Sequence, residues 1–133
     1  MSLYIFNCMS KIKKVLIVDD EKVLLDLLSS KIKESGFDVI EAYDGDEGLR
    51  KALDEHPDLI LLDIIMPKTD GITVLKKLRE DSWGKNVPVI VLSNLNTAES
   101  VEKSLANGVY DYLVKVDYSL DDLVGIVKKR LAG

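Results

Sequence analysis

The sequence predicts an α/β protein, a three-layer sandwich in which five parallel strands form a central sheet and five helices cover its two faces. Three short apolar runs, at residues 15–18, 59–62 and 87–92, lack polar alternation, as expected of strands that are buried on both faces. Segments with helical periodicity separate the strands. Such alternation favours parallel neighbours joined by right-handed crossovers.

The remaining elements follow from periodicity and end signals. Strands are predicted at 15–18, 38–42, 59–62, 87–92 and 110–116, and helices at 21–35, from 44 to the residue before Pro57, at 72–80, at 97–107 and after 119. The signals for helix starts are Asp44 with Glu47, Asp70, Asn96 with Glu99, and Ser119 with Asp122. Gly36 is expected to end the first helix. In that helix the predicted apolar stripe is Val23, Leu24, Leu27, Leu28 and Ile32.

Length and composition narrow the class of protein. The 133 residues predict one domain, and the net charge of −5 argues against direct nucleic-acid binding. The single cysteine, Cys8, fits a reducing cytoplasm, and no apolar run approaches the ~20 residues of a membrane helix. We expect residues 1–10 to be a tail or an added leader and residues 11–133 to be the domain. Gly133 brings no linker-like continuation, which favours a free-standing protein over a domain cut from a longer chain.

Polar and charged side chains that can bind ligands or react lie at the carboxyl ends of four of the five predicted strands. They are Asp19 and Asp20 after the first, Asp63 after the third, Ser93 after the fourth, and Lys115 on the fifth. Parallel sheets bind ligands outside the carboxyl ends of their strands. Clustered carboxylates need a cation, and hard oxygen ligands suit Mg²⁺, which readily shares its site with phosphate. The pattern predicts a Mg²⁺-dependent phosphoryl-transfer site with an aspartate nucleophile.

This set of motifs closely resembles the receiver domain of two-component response regulators, of the single-domain chemotaxis-regulator kind. The resemblance covers residues 12–131 and rests on Asp19-Asp20, the run from Asp63 to Pro67, Asp70-Gly71, Ser93 and the run from Asp111 to Lys115. It implies a flavodoxin-like fold with strand order 2-1-3-4-5.

The resemblance also implies roles for the residues at the sheet edge. Asp63 would accept a phosphoryl group from the phosphohistidine of a histidine kinase. Asp20, Asp63 and the backbone carbonyl of Ile65 would bind Mg²⁺ directly, and Asp19 would act through water. Lys115 would contact the phosphoryl group.

Two further roles concern the switch. Ser93 would move to hydrogen-bond the phosphoryl group, and Tyr112 would fill the aromatic switch position. Phosphorylation would then shift the last two helices and the last strand toward a pre-existing active arrangement that controls an output partner. The protein would be a signalling switch that assists its own phosphorylation and dephosphorylation, not an enzyme acting on other substrates. Homodimerisation through the same elements stays open.

Leu24 and Leu25 are the expected contacts for the kinase or a histidine phosphotransfer protein. The first helix is more apolar than one buried face requires, so some leucine in it should be exposed. Leu24 also occupies the position at which receivers commonly touch such partners.

The sequence departs from the family pattern in places that bear on function. Val116 stands where most receivers have proline after the lysine, so we expect a trans Lys115–Val116 peptide and an altered loop. Ile65 and Asn94 are unusual neighbours for the acceptor and for Ser93. Two alternatives stay open. A Mg²⁺-dependent phosphohydrolase is disfavoured because its usual second carboxylate would stand where Ile65 is, and a degenerate receiver acting as a binding module is disfavoured by the intact acids and Lys115.

Overall fold

The computed structural model describes residues 12–66, 69–94 and 97–132 of the chain. The strands are β1 Lys14–Val18, β2 Asp38–Ala42, β3 Leu59–Leu62, β4 Val89–Ser93 and β5 Asp111–Val114. The helices are α1 Lys22–Glu34, α2 Gly45–Glu55, α3 Gly71–Glu80, α4 Ala98–Ala106 and α5 Leu120–Leu131. The predicted tail, residues 1–10, lies outside the described residues and stays a prediction.

The five strands form one parallel sheet in the order β2-β1-β3-β4-β5, which confirms the predicted topology. In the register, Val18 lies beside both Ala42 and Leu62, and Ser93 lies beside Val114. Because all strands run the same way, the residues that follow Val18, Leu62 and Val114 meet at one edge of the sheet. The predicted site residues Asp19, Asp63 and Lys115 therefore lie at that edge.

The core is divided by the sheet into two layers, as strand alternation requires. Leu16 and Val18 of β1 face a cluster that includes α2 and α3, whereas Val15 and Ile17 face a cluster that includes α1 and α5. All four side chains are at most 2% exposed. Within the described ranges, no helix is both long enough and apolar enough to cross a bilayer.

Several element boundaries differ from the predictions. β4 starts at Val89 because Pro88 cannot donate to a strand ladder. β5 ends at Val114, and residues 115–117, the first two of them predicted as strand, form a short 3-10 turn. The N-cap of α4 is Thr97, whose side chain accepts from the Ser100 backbone amide, so the prediction of Asn96 as the cap is wrong. No peptide bond in the described ranges is cis, which confirms the trans bond after Lys115.

The buried face of α1 also differs from the prediction. Leu25, Leu28 and Ile32 are at most 1% exposed, whereas Val23 is 73% and Leu27 is 50% exposed. The predicted stripe therefore included two solvent-facing residues. Leu25 is fully buried within the core cluster on the α1 and α5 side of the sheet, so the prediction that it contacts a partner is wrong.

Helix α4 is the least integrated of the five helices. Ser104 is its one buried residue, and none of its side chains belongs to either core cluster. Leu105 is 57% exposed, and the buried Ser104 hydroxyl has no hydrogen-bond partner. Few apolar contacts give a helix low local stability, which suits an element that changes position.

Candidate functional site

Two buried carboxylates lie side by side where β1 and β3 end. The Asp19 amide donates to the Ala42 carbonyl at 3.0 Å, and the Asp63 amide donates to the Val18 carbonyl at 3.0 Å, so the sheet ladder fixes both backbones. Asp19 is 3% and Asp63 is 5% exposed, while Asp20 faces solvent. Carboxylate oxygens of these three residues lie within 4.8 Å of one another. The predicted acidic cluster is confirmed as a spatial group.

Lys115 brings a positive charge into this group from the end of β5. Its Nζ lies 2.8 Å from Asp19 Oδ2, 2.7 Å from Glu21 Oε1 and 3.2 Å from Asp63 Oδ2. Burial lowers the pKa of Lys115, but its hydrogen bonds to Asp19 and Glu21 outweigh burial and hold the pKa well above the usual lysine value. The lysine is therefore charged at any physiological pH.

The two buried aspartates are oriented by backbone amides as well as by the lysine. The Glu21 amide donates to Asp19 Oδ1 at 2.9 Å, and the Ile65 amide donates to Asp63 Oδ1 at 3.2 Å. Burial raises the pKa of Asp19, and the hydrogen bond from Lys115 opposes that effect. These contacts leave each carboxylate fixed in direction.

An open cleft of about 250 Å³ gives access to Asp63. Its lining consists of Asp20, Glu21, Asp63, Ile65, Ser93, Asn94 and Lys115. Ser93 is fully buried at the floor, whereas the apolar side chain of Ile65 is 57% exposed at the rim. The cleft thus places a hydroxyl and an ammonium beside one carboxylate, which is the donor set that a phosphoryl group requires.

The carboxylate oxygens of the site also suit a divalent cation. Three carboxylate oxygens within 4.8 Å of one another, one of them on the exposed Asp20, match the preference of Mg²⁺ for a few carboxylates and several retained waters. Asp19, Asp20 and Asp63 would hold the ion. The ion would neutralise charge on these carboxylates and on any phosphoryl oxygens bound beside them.

Gly71 allows α3 to begin directly against the Asp63 backbone. A Cβ atom at this position would lie 2.4 Å from the Asp63 carbonyl oxygen, so a larger residue would displace that backbone. The Gly71 amide donates to the Ile64 carbonyl at 2.9 Å, and the Asp70 side chain caps α3 through the Thr73 amide. The Asp70-Gly71 pair therefore shapes the turn after Asp63, beyond the capping role predicted for Asp70.

Tyr112 links the central sheet to the loosely packed α4. Its ring packs against the core layer of α2 and α3, and its hydroxyl is hydrogen-bonded to Ser100. Burial raises the pKa of the Tyr112 hydroxyl, and the hydrogen bond to Ser100 partly offsets that rise. The predicted switch residue thus connects β5 to α4.

Glu21, for which the sequence pattern indicates no role in the site, makes the shortest contact with Lys115. A signal existed, because Glu21 is the third acid in succession after β1. The helical pattern that starts after Asp20 favours a helix-start role for Glu21, and sequence distance gives no reason to pair residue 21 with residue 115. Among the predicted site residues, Asp19, Asp20, Asp63, Ser93 and Lys115 do meet, with Ile65 at the rim.

Known proteins of one family resemble this chain. The family profile described as the response regulator receiver domain matches residues 15–128. The alkaline phosphatase synthesis transcriptional regulatory protein PhoP of Bacillus subtilis is 43% identical over 103 residues, which are 77% of this chain and 42% of PhoP. The chain spans about half the length of the curated relatives that it matches.

Solved structures resemble the fold over nearly its whole extent. Chemotaxis protein CheY4 of Vibrio cholerae gives a TM-score of 0.82 at 30% identity, covering 90% of this chain and 99% of CheY4. CheY in the CheX–CheY–BeF3–Mg complex of Borrelia burgdorferi gives a TM-score of 0.79 at 33% identity, covering 91% of each chain.

Proposed function

The chain belongs to the response regulator receiver family, and from that premise we propose that Asp63 is the residue that accepts its phosphoryl group. The observation that carries the proposal is the contact set at the sheet edge. Asp63 has acidic neighbours for a cation and Lys115 Nζ at 3.2 Å, and it opens to solvent through the cleft. No other described carboxylate combines these three features.

The reaction follows from the positions of these groups. A carboxylate oxygen of Asp63 attacks the phosphorus of a phosphohistidine, the P–N bond breaks, and its electron pair stays on the imidazole nitrogen, which is then protonated. Lys115 and Ser93 donate hydrogen bonds to the transferred phosphoryl oxygens. Mg²⁺, when held by Asp19, Asp20, Asp63 and the Ile65 carbonyl, supplies positive charge to the same oxygens.

Reversal to the resting state needs only water. Water that enters the cleft attacks phosphorus, the P–O bond to Asp63 breaks, and inorganic phosphate leaves. Ile65 and Asn94 border the path, and the Ile65 side chain offers that water no hydrogen bond. We therefore propose a switch that promotes its own phosphorylation and dephosphorylation, with residues 11–133 as the functional domain.

Acetyl phosphate labelling tests the proposal. Incubation with Mg²⁺ is expected to add one phosphoryl mass to the intact protein, and a chelator is expected to prevent the addition because the clustered charge is then not neutralised. Asp63→Asn keeps the size of the side chain and removes the nucleophilic carboxylate, so it should stay unlabelled. Labelling of Asp63→Asn equal to wild type would refute the assignment, and rapid turnover of phosphomonoesters would favour the phosphohydrolase.

We propose that this protein is cytoplasmic and that a histidine kinase or a histidine phosphotransfer protein is the donor, docking beside α1. A second cleft of about 250 Å³ adjoins Lys115 and Asn94, and Leu24, Leu120 and Leu123 form its apolar wall. Leu24 is half-buried and accessible there, unlike Leu25. An apolar cleft next to the acceptor suits the side chains that flank a phosphohistidine on a partner helix.

Leu24→Ser is expected to slow phosphoryl transfer from the cognate kinase about tenfold, because one apolar anchor of an interface contributes about 1–2 kcal/mol to binding. Labelling by acetyl phosphate, which needs no docking, should stay within twofold of wild type. Leu105→Ser, an exposed leucine on α4, is the matched control. Equal kinase rates for wild type and Leu24→Ser would contradict the docking site.

The output is proposed to lie on the surface formed by α4, β5 and α5. The weak packing of α4 and the hydrogen bond between Tyr112 and Ser100 support a phosphorylation-dependent shift of these elements. PhoP is named as a transcriptional regulator. For this chain we propose that the surface controls an output protein or domain, or a homodimer, without direct contact of residues 11–133 with nucleic acid.

A further inference from the structure

The Lys115 ammonium group uses all its hydrogen-bonding capacity in the resting site. An ammonium has three N–H donors, and Lys115 has three carboxylate partners within 3.2 Å. The contacts with Glu21 and Asp19, at 2.7 and 2.8 Å, are shorter than the contact with Asp63 at 3.2 Å. Two donors are therefore held firmly, and the third points at the acceptor.

Glu21 differs from the other two partners in its relation to the cation site. Asp19 and Asp63 belong to the carboxylate cluster that can hold an ion, whereas Glu21 does not. A cation bound to that cluster draws on the same two carboxylates, Asp19 and Asp63, that Lys115 contacts. Glu21 is then the partner that can keep the lysine in place without competing for the ion.

The start of α1 is consistent with such a use of Glu21. Of the five helices in the described part of the chain, α1 alone lacks a side-chain N-cap, since Asp44, Asp70, Thr97 and Ser119 cap the others. Glu21 occupies the N-cap position of α1 but extends its carboxylate to Lys115 instead of to the helix. A local stabilising contact is thus absent where an interaction with the site is present.

We propose that Glu21 is a positioning residue that holds Lys115 so that one of its N–H donors faces the phosphoryl group arriving at Asp63. The proposal rests on the function proposed above, and it concerns the lysine rather than the acceptor. Glu21 acts through a hydrogen bond, so an uncharged acceptor of the same size should largely replace it.

Two variants separate positioning from helix stability. Glu21→Gln keeps an oxygen that can accept from Lys115 but loses the charge. Glu21→Ser removes the contact and supplies a favourable N-cap, so α1 should be at least as stable as in wild type. The rate constant of labelling by acetyl phosphate is measured at saturating Mg²⁺, and the Lys115 ammonium signal is followed by ¹⁵N-edited NMR in the metal-free protein, with Lys115→Met for assignment.

We expect Glu21→Ser to lower the labelling rate about fivefold and to broaden the ammonium signal, while Glu21→Gln stays within twofold and keeps the signal. A Glu21→Ser protein with unchanged rate and signal would overturn the proposal. So would a loss in Glu21→Gln as large as that in Glu21→Ser. Labelled wild type with unaffected variants would refute only the role of Glu21, whereas unlabelled wild type would refute the proposed function itself.

Discussion

Lys115→Met is expected to slow the phosphorylation of Asp63 by acetyl phosphate about 100-fold, the usual loss when one preorganised donor to a developing anion is removed. Methionine keeps the length and the apolar part of the side chain, so the loss would report the ammonium group. The rate is measured at saturating Mg²⁺ against Lys128→Met, which removes an exposed lysine from α5. A loss smaller than threefold would contradict the assigned role of Lys115.

Lys115→Met should also destabilise the metal-free protein by about 2–4 kcal/mol at pH 7, because the buried carboxylates of Asp19 and Asp63 lose the ammonium group that pairs with them. The pH dependence has a definite sign. The folded-state pKa of Lys115 lies above its unfolded value of 10.5, so its contribution is fully present below pH 10.5 and declines as the pH rises further. The difference in the free energy of unfolding between wild type and Lys115→Met, measured in urea, should therefore narrow above about pH 10.5. A difference that widens there would contradict the proposed charge pairing of Lys115.

Arg79→Ala is expected to lower the free energy of unfolding by about 2–4 kcal/mol, since it would leave four backbone carbonyls without their donor. The Arg79 guanidinium donates to Gly84 and Val87 in the loop before β4, and to Asn107 and Gly108 after α4, at 2.7 to 3.0 Å. Burial lowers the pKa of the Arg79 guanidinium. Its four partners in these hydrogen bonds are all uncharged backbone carbonyls. One side chain thus ties the end of α3 to the end of α4.

Urea unfolding of three variants tests this account of Arg79. Arg79→Lys keeps the charge but cannot form the planar fork, so it should recover less than half of the stability that Arg79→Ala loses. Arg50→Ala, at an exposed position of α2, should stay within about 0.5 kcal/mol of wild type. If Arg79→Ala also stayed within that range, the four contacts would contribute nothing measurable.

The sheet and most of the site were predictable because they depend on short apolar runs and on which residue follows each run. β3 is four buried aliphatic residues, and the acid that follows it can only lie at the open edge. Once the strands are parallel, Asp19, Asp63 and Lys115 must converge at that edge. Neither step requires knowledge of side-chain conformation.

The remaining features depend on tertiary geometry that the sequence pattern does not contain. In α1, residues 23–28 are apolar except for Asp26, so the pattern could not tell that Leu25 is buried and Val23 exposed. The contact of Glu21 with Lys115 spans 94 positions, and the reach of Arg79 to Asn107 spans 28. Long polar side chains make such contacts only after the backbone is in place.

Chemical identification of the phosphorylated residue tests whether Asp63 is the phosphoryl acceptor. Borohydride reduces the acyl phosphate of an aspartyl phosphate to the alcohol of homoserine, which marks the residue permanently for peptide mass spectrometry. After acetyl phosphate labelling, we expect homoserine at position 63 and aspartate at positions 19 and 20. Homoserine at either of those two positions, with Asp63 unmodified, would show that Asp63 is not the acceptor.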